Sequence, residues 1–394
     1  MPSPTAPTPS PAPRNEAGAW PEVARVFGRL GLTAFGGPAA HIAAMEDEIV
    51  TRRQWISRDD FADLVGASNL IPGPNSTELA IHIGYRRAGW PGLIAAGVSF
   101  IVPAVVLVWA LAIAYVHGGS RMNAPAILAG LQPVVLAVVV QALWRLRASL
   151  VRSRWAALVA AASVVAVLAG VSEITVLVLA LLASLVMARV TLRHDADTNH
   201  HPLAALGAVA VTSMSAPTSV AMSAPAVFLS FAKIGSVLFG SGYVLLTFLR
   251  GEFVLRHAVL TDAQLLDAIA VGQVTPGPVF AAATFVGYLI AGHAGAAAAT
   301  AGIFLPAFVG VALTAPYVAR LRDSRRWSLA LDGVNAASLA LMASVVLVMA
   351  RHIAPDPVAL AILSGATAVL VFTRIGSGWV LLAGACVGPL RALL

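Results

Sequence analysis

Six long apolar runs determine what this chain can fold into. They cover residues 91–116, 123–144, 155–171, 174–188, 294–318 and 329–350, and Asp332 is the one charged residue in any of them. Each is close to the roughly 17–25 residues that an α-helix needs to cross a bilayer. Only 11% of the residues are charged, whereas about a quarter are charged in a soluble domain. The sequence therefore predicts an all-α integral membrane protein.

The ends and the charge of the chain exclude several other classes. Residues 1–19 are rich in Pro, Ser, Thr and Ala, so we expect a disordered cytoplasmic tail rather than a signal peptide. Cys386 is the only cysteine, which excludes a disulfide framework and a cysteine metal site. The net charge is +7, but the basic residues fall mostly in short loops, where they orient helices. We expect no nucleic-acid partner.

The chain contains two copies of one sequence unit. Phe27-Gly28-Arg29-Leu30-Gly31 aligns with Phe231-Ala232-Lys233-Ile234-Gly235, 204 positions later. At the same offset, Pro72-Gly73-Pro74 aligns with Pro276-Gly277-Pro278. So many coincidences at one offset indicate a duplication. The predicted organisation is a tail (1–19), a first repeat (20–189), a linker with a weak extra span at 203–222 (190–223) and a second repeat (224–394).

Loop charges predict that the two copies have opposite orientations. Residues 145–154 hold four arginines, whereas the equivalent stretch 351–357 holds one. Conversely, residues 320–326 hold four arginines, and their counterpart in the first repeat holds only Arg121. Basic loops face the cytoplasm. The resulting inverted repeat is typical of secondary transporters that bind substrate near the midplane.

Two segments, 59–84 and 263–290, leave the number of spans open. If they cross the membrane, the chain has about thirteen spans, and if they are re-entrant it has about ten. Crossing would put Arg52, Arg53 and Arg58 outside the cell, whereas re-entrance would keep them in the cytoplasm. The sequence does not distinguish the two.

A proline-glycine-proline motif breaks one predicted helix in each repeat. Two prolines around a glycine forbid a continuous helix. Irregular backbone at membrane depth is tolerated only inside protein or along a cavity. The helix that follows each break, which is predicted to begin at Ser76 in the first repeat, points free N–H groups and a positive dipole end at that cavity. This arrangement favours an anion, and paired proline kinks without a ligand are the alternative.

Arg29 and Lys233 are the candidate cations for such an anion. Lys233 is the only lysine in the chain, and Arg29 is its repeat partner. An intramembrane cation is costly and indicates a functional site. A guanidinium and an ammonium can together neutralise a divalent oxyanion. Snorkelling to the membrane surface is the alternative.

The acidic and amide residues near the breaks have two interpretations each. Asp63 and Asp267 could complement a helix dipole or carry protons. Glu78 has no acidic partner in the second repeat and is a candidate proton site, because it follows Pro74 by four residues. Asn69 and Gln273 occupy matching positions and could bond either the freed backbone or the substrate. Further expectations are surface ion pairs of Glu48 with Arg52 and of Glu252 with Arg256, and a packed polar role for His41.

Absent motifs exclude other functions. No phosphate-binding loop precedes the single lysine, and no His-Glu-x-x-His motif occurs, so we expect neither ATP-driven transport by that loop nor a zinc protease. No convincing nucleophile–base pair is present, so we expect no enzyme, no metal and no cofactor. An ion gradient, the membrane potential or a partner subunit must supply the energy.

These motifs resemble the chromate ion transporter family in its long two-domain bacterial form. The matching segments cover both repeats: Phe27-Gly28-Arg29-Leu30-Gly31 through Phe35-Gly36-Gly37-Pro38, Asn69-Leu70-Ile71-Pro72-Gly73-Pro74-Asn75, Phe231-Ala232-Lys233-Ile234-Gly235 through Phe239-Gly240, and Thr275-Pro276-Gly277-Pro278. The resemblance implies export of chromate, a tetrahedral dianion, across the bacterial inner membrane, coupled to the proton-motive force. It also assigns Gly36, Gly37 and Gly240 to the substrate path with Arg29, Lys233 and both breaks.

Two alternatives to chromate export remain open. Sulfate has a similar shape and charge, so a permease for sulfate or another oxyanion is the first. An anion channel is the second, although an inverted repeat with broken helices favours a carrier. The expected partners are a small inorganic oxyanion and the lipid bilayer, and we allow for a homodimer.

Overall fold

The computed structural model describes residues 17–35, 37–69, 71–118, 124–151, 154–194, 222–239, 242–317, 325–373 and 375–393. Within these ranges all regular elements are helical. The all-α prediction is therefore confirmed. Most of the expected N-terminal tail and of the weak extra span at 203–222 lies outside the described residues.

The first repeat contributes seven α-helices. They are α1 (Trp20–Thr33), α2 (Pro38–Met45), which continues into a π-helical segment (Glu46–Arg52), α3 (Arg58–Ser68), α4 (Asn75–His117), α5 (Ala124–Val151), α6 (Arg154–Leu168) and α7 (Glu173–His194).

The second repeat contributes seven more within the described residues. They are α8 (Ala224–Val237), α9 (Leu245–Leu249), which continues into a π-helical segment (Arg250–Arg256), α10 (Asp262–Val274), α11 (Ala282–Thr314), α12 (Arg325–Ile353), α13 (Pro357–Phe372) and α14 (Ser377–Leu393). A 3₁₀ turn (Val279–Ala281) leads into α11.

The duplication extends to backbone details. Helix α4 bends at Ala88–Gly89, and α11 bends at Ala291–Gly292. Gly89 and Gly292 have φ angles of 60° and 59°, a conformation that glycine adopts without steric cost. Each bend divides a long helix into a short first arm and a long second arm. The predicted repeat is confirmed in the folded chain.

Among the described residues, four helical segments are long and apolar enough to cross a bilayer. They are Asn75–His117, Ala126–Arg147, Val279–Thr314 and Leu331–Arg351. Five shorter apolar helices accompany them in the described part of the chain: Arg154–Leu168, Glu173–Ala188, Ala224–Val237, Pro357–Phe372 and Ser377–Leu390. The chain is a multi-pass membrane protein.

The segments with broken helices are re-entrant hairpins. Arg86, near the end of the first arm of α4, donates from Nη2 to Oδ1 of Asp60 at the start of α3, at 2.8 Å. In the second repeat, Gly272 near the end of α10 faces Ala282 at the start of α11, where an added Cβ would lie 2.9 Å from the Ala282 Cβ. At 1.5 Å per residue, a straight course would separate Arg86 from Asp60 by about 39 Å and Gly272 from Ala282 by about 15 Å. The structure therefore favours re-entrance over crossing.

Helices α1 and α2 form a second hairpin beside the first. Arg53, just after the π-helical segment, donates from Nη1 to Glu22 Oε1 at 2.9 Å, and Glu22 lies at the start of α1. Arg87 donates to Glu22 Oε2 at 3.3 Å. The open ends of both hairpins thus lie at one membrane face, and their tips lie inside the protein.

The two repeats are inverted. Trp109 on the second arm of α4 donates from Nε1 to Nδ1 of His293 at 3.1 Å, and His117 lies 3.2 Å from the hydroxyl of Tyr288. Nearer the start of the same arm, Gly97 contacts Phe308. Residues further along α4 therefore contact residues earlier in α11. The second arm of α4 and helix α11 run antiparallel.

Candidate anion-binding site

The tips of the hairpins join the two repeats through their backbones. The N–H of Gly73 donates to the carbonyl of Leu238 at 2.8 Å, and the N–H of Gly277 donates to the carbonyl of Ala34 at 3.0 Å. Both members of the second bond lie 204 positions from their counterparts in the first. Each proline-glycine-proline break is therefore bonded to the end of the first helix of the other repeat. Such reciprocal contacts are the mark of a two-fold arrangement.

Both breaks leave the helical conformation between Ile71 and Pro74 and between Thr275 and Pro278. Gly73 has φ +140° and Gly277 has φ +89°. A Cβ added at Gly277 would lie 2.9 Å from that of Ala104, and one added at Gly73 would lie 3.4 Å from that of Ala307. The breaks thus pack against the second arms of α4 and α11.

Several helix N-termini meet the tips without a side-chain cap. Helix α4 begins after Pro74, the 3₁₀ turn begins after Pro278, and α2 begins after Gly37, which has φ +83°. At none of these three N-termini does the side chain of the N-cap residue accept a hydrogen bond from a backbone N–H. Uncapped N-termini offer free N–H groups and a positive dipole end. Gly36 and Gly240, the other predicted tip glycines, lie outside the described residues.

The tip of the first break is polar and that of the second is apolar. After Pro74 the chain continues with Asn75-Ser76-Thr77-Glu78, and after Pro278 it continues with Val279-Phe280-Ala281-Ala282. Asn75 donates from Nδ2 to Oδ1 of Asn69 at 2.6 Å, across the break. The predicted anion site is therefore asymmetric.

Several buried polar atoms near the first break have no hydrogen-bond partner among the described residues. They are Nε2 of His41, Oδ1 of Asn75, Oγ1 of Thr77, both carboxyl oxygens of Glu78 and Nε2 of His82. Buried polar atoms are almost always satisfied in folded proteins. A concentration of open donors and acceptors at one tip is what a site for a hydrated or polar ligand requires.

Gln273, the counterpart of Asn69, is buried near the second break, and its Nε2 atom also has no partner in the described part of the chain. Thr275 donates from Oγ1 to the carbonyl of Val271 at 3.0 Å. The Thr275 hydroxyl therefore bonds a carbonyl group at the end of α10, whereas the amide nitrogen of Gln273 is available to a ligand.

The two predicted cations have different surroundings. Arg29 is exposed on α1, and no hydrogen bond or ion pair of its side chain occurs within the described residues. Lys233 donates from Nζ to Oε2 of Glu252 at 3.0 Å, and Ser230 donates to Oε1 of the same carboxylate at 3.2 Å. Burial raises the pKa of Glu252, but the hydrogen bond and charge of Lys233 outweigh it and leave this pKa below its usual value.

The Lys233–Glu252 pair is a contact that the sequence analysis missed. The predicted pairs of Glu48 with Arg52 and of Glu252 with Arg256 are formed, at 3.9 Å and 3.4 Å. Each carboxylate also has a shorter contact, which joins Glu48 to Arg53 at 2.8 Å and Glu252 to Lys233 at 3.0 Å. Lys233 and Glu252 are 19 residues apart in the sequence. They meet because α8 packs beside the π-helical segment Arg250–Arg256 in the fold.

The two predicted proton-carrying aspartates also differ. Asp267 is buried, and it accepts from the hydroxyl of Tyr115 at 3.0 Å and from Nε2 of Gln132 at 2.8 Å. Asp63, its counterpart, is half-buried. No group of three His, Cys, Asp or Glu side chains is arranged for a metal ion in the part of the chain that the structure describes.

Comparisons with known proteins assign the family. The chromate transporter family model matches residues 21–187 and 225–389, one match for each repeat. A chromate transport protein of Pseudomonas aeruginosa is 33% identical over 84% of this chain and 81% of its own length. One of Cupriavidus metallidurans is 31% identical over 92% of this chain and 90% of its own length.

A probable chromate transport protein of Synechococcus elongatus is 29% identical over 84% of each chain. No solved structure matches this chain. The family model covers most of the sequence and repeats at the spacing seen in the fold, with both proline-glycine-proline breaks inside the matched ranges. The chain therefore belongs to the chromate transporter family.

Proposed function

We propose that this protein exports chromate across the bacterial inner membrane and draws on the proton-motive force. The observation that carries the proposal is the pair of cross-bonded hairpin tips. They bring uncapped helix N-termini to the centre of an inverted repeat, where secondary transporters bind substrate. The relatives named as chromate transport proteins support chromate as the anion.

The proposed substrate contacts lie on both sides of the tips. Free N–H groups at the starts of α2, α4 and the 3₁₀ turn hold the oxyanion. Arg29 supplies a guanidinium that no described side chain occupies, and Lys233 supplies an ammonium that it shares with Glu252. Asn69, Asn75 and Gln273 offer amide groups at the two breaks. The glycines of the tips let the backbone approach the anion closely.

The proton-motive force acts on this carrier through titratable groups near the tips. Glu78 is the first candidate proton carrier, because it is fully buried and follows the first break. Asp267 is bonded by two neutral donors and Asp63 is half-buried, so both rank after Glu78. Export of an anion from a cell with a negative interior is in addition favoured by the membrane potential.

Transport by proteoliposomes tests the proposal. Purified protein is reconstituted, and the flux of radiolabelled chromate and sulfate is measured with an imposed membrane potential, an imposed pH gradient, or neither. We expect saturable chromate flux that either gradient changes. Faster sulfate flux would assign the protein as a sulfate permease, and flux that does not saturate would indicate a channel. The mass of the reconstituted particle tests the homodimer.

A further inference from the structure

Glu78 lies at the joint between the two repeats. Its side chain is fully buried, and its Oε1 atom is so close to Gly73 that an added Cβ at that glycine would collide with it. The N–H of Gly73 is the group that bonds Leu238 of the other repeat. The carboxyl group therefore sits at the point where the anion is proposed to bind.

Two histidines accompany Glu78. His82 follows it by four residues, which puts both side chains on one face of α4. His41 on α2 lies 3.2 Å from the Ser76 hydroxyl through Nδ1, and its ring packs edge-on against Phe100. Both histidines are about 1% exposed, and the Nε2 atoms of both have no partner among the described residues. The sequence analysis gave neither histidine a functional role.

The other charged groups on the elements around α4 are engaged elsewhere or exposed. Those with contacts to other residues are Glu22 with Arg53 and Arg87, Asp60 with Arg86, Asp267 with Tyr115 and Gln132, and His293 with Trp109. Arg29 is exposed and Asp63 is half-buried. In the part of the chain that the structure describes, no hydrogen bond joins any of these groups to the carboxyl oxygens of Glu78. The residues that α8 and α11 bring to its break, Leu238 and Ala307, are apolar.

A carboxylate in this position and an oxyanion would oppose each other. A charged group buried without a partner is far more costly than the neutral acid, and a nearby dianion adds like-charge repulsion. A protonated carboxyl group has no such repulsion, and its O–H can donate to the anion. Protonation and anion binding at the first break therefore favour each other.

We propose that Glu78 carries a proton whenever the oxyanion is bound, with His82 as its polar neighbour on the same face of α4, so that the carrier holds the anion and the proton together. This inference rests on the proposed function and assigns its coupling. A dianion that leaves with one proton carries one net negative charge outward. Export would then draw on the membrane potential, which is the electrical component of the proton-motive force, and would be opposed by the inward-directed pH gradient, which is its chemical component.

Calorimetry of the purified full-length protein in detergent tests the inference. Chromate is titrated at mildly alkaline pH, where it is a dianion, in two buffers of different ionisation enthalpy. The difference between the apparent enthalpies gives the number of protons taken up. At pH values above the titration of the free site, we expect the wild type to take up one proton per anion and its affinity to fall about tenfold per pH unit.

Three variants identify the acceptor. Glu78→Gln is expected to bind chromate without proton uptake and with an affinity that pH does not change. His82→Asn is expected to keep the uptake of one proton. Glu46→Gln is the matched control, because Glu46 bonds Arg58 at the membrane face, and it should resemble the wild type.

Other results would overturn the inference. Wild-type binding with proton release, or binding with neither uptake nor a fall in affinity at any pH at which the protein stays folded, contradicts coupled binding. Uptake that persists in Glu78→Gln, or that is lost in His82→Asn alone, assigns the proton to another residue. Failure of the folded wild type to bind any oxyanion is a separate result, because it overturns the proposed function and removes the basis of this inference.

Discussion

Arg29 and Lys233 occupy equivalent positions in the two repeats but have different electrostatic surroundings. The ammonium of Lys233 shares a carboxylate with Arg256, and the guanidinium of Arg29 meets no carboxylate in the described residues. A cation that is already paired has less to offer an anion than one that is not. The two side chains occupy equivalent positions in the sequence, but in the structure they differ in whether a carboxylate already neutralises their charge.

We expect Arg29→Ala to weaken substrate binding with little effect on stability. One charge-assisted hydrogen bond contributes about 1.5–3 kcal/mol, so the loss corresponds to roughly 10–100-fold in affinity. Arg25→Ala is the matched control, since Arg25 is exposed one turn earlier on α1. The measurement is chromate affinity at equal membrane abundance. Equal affinity in Arg29→Ala and Arg25→Ala would exclude Arg29 from the site.

Lys233 requires a double-mutant comparison. Lys233→Ala removes the closest partner of Glu252, so a loss of affinity could come from the freed carboxylate rather than from the lysine. If Lys233 binds substrate, Lys233→Ala should remain about tenfold weaker than wild type even when combined with Glu252→Gln. Lys233→Arg should retain part of the affinity, and Lys233→Glu should be the weakest variant. Full recovery in the double variant would reduce Lys233 to a structural partner of Glu252.

At the scale of elements, the two hairpins of each repeat are defined by their tips. Prolines at the breaks keep α3 and α4 from merging, so the first arm of α4 returns to the face where α3 begins, and the bend at Gly89 then turns the chain into the second arm. The prolines were recognisable in the sequence. The sequence analysis did not predict the bend, although Gly89 lies outside the apolar run that starts at residue 91, because its positive φ is seen only in the fold.

We expect replacement of Pro72-Gly73-Pro74 by three alanines to abolish transport while the protein still inserts. Each change of proline to alanine favours the helical conformation by about 3 kcal/mol. The helix would then continue through the break, and the hydrogen bond to Leu238 would be lost. The same change at Pro276-Gly277-Pro278 should have the same effect. The measurements are membrane abundance and chromate flux. Normal flux by an abundant triple variant would mean that the breaks are only kinks.

The sequence predicted the repeat, its inversion and both breaks because each leaves a local trace in composition or spacing. Re-entrance remained open because it depends on contacts such as Arg86 with Asp60, which join residues 26 positions apart. The buried, unpartnered nitrogen of His82 was missed for a related reason. A histidine inside an apolar helix looks like any packed polar residue until its contacts in the fold are known.

At the scale of the whole molecule, inversion and re-entrance together give one consistent distribution of charge. The hairpins of the first repeat open towards the face that holds Arg53, Arg86 and Arg87. The second arm of α4 leads away from that face, and α5 returns towards it with Arg145 and Arg147 near its end. Basic residues at one face predict that this face is cytoplasmic.

Cysteine labelling tests this topology. Single cysteines at Ser149 and Ser324, introduced in a Cys386→Ala background, should react with an impermeant maleimide only from the cytoplasmic side. Ser172→Cys is the opposite control, because its neighbour Glu173 lies against Gly251 in the oppositely oriented repeat. Labelling of Ser149→Cys and Ser324→Cys from different sides would contradict the inverted repeat.

The joint between the repeats uses main-chain atoms, and this has a consequence for how the two copies can diverge. A substitution at Ala34 or Leu238 leaves its carbonyl oxygen in place, so the side chains at the tips are free to change while the frame persists. The first tip has become polar, with Asn75 and Glu78, and the second has become apolar, with Val279 and Ala282. After duplication, the two tips can therefore differ in polarity while both keep the main-chain groups that the proposed anion site uses.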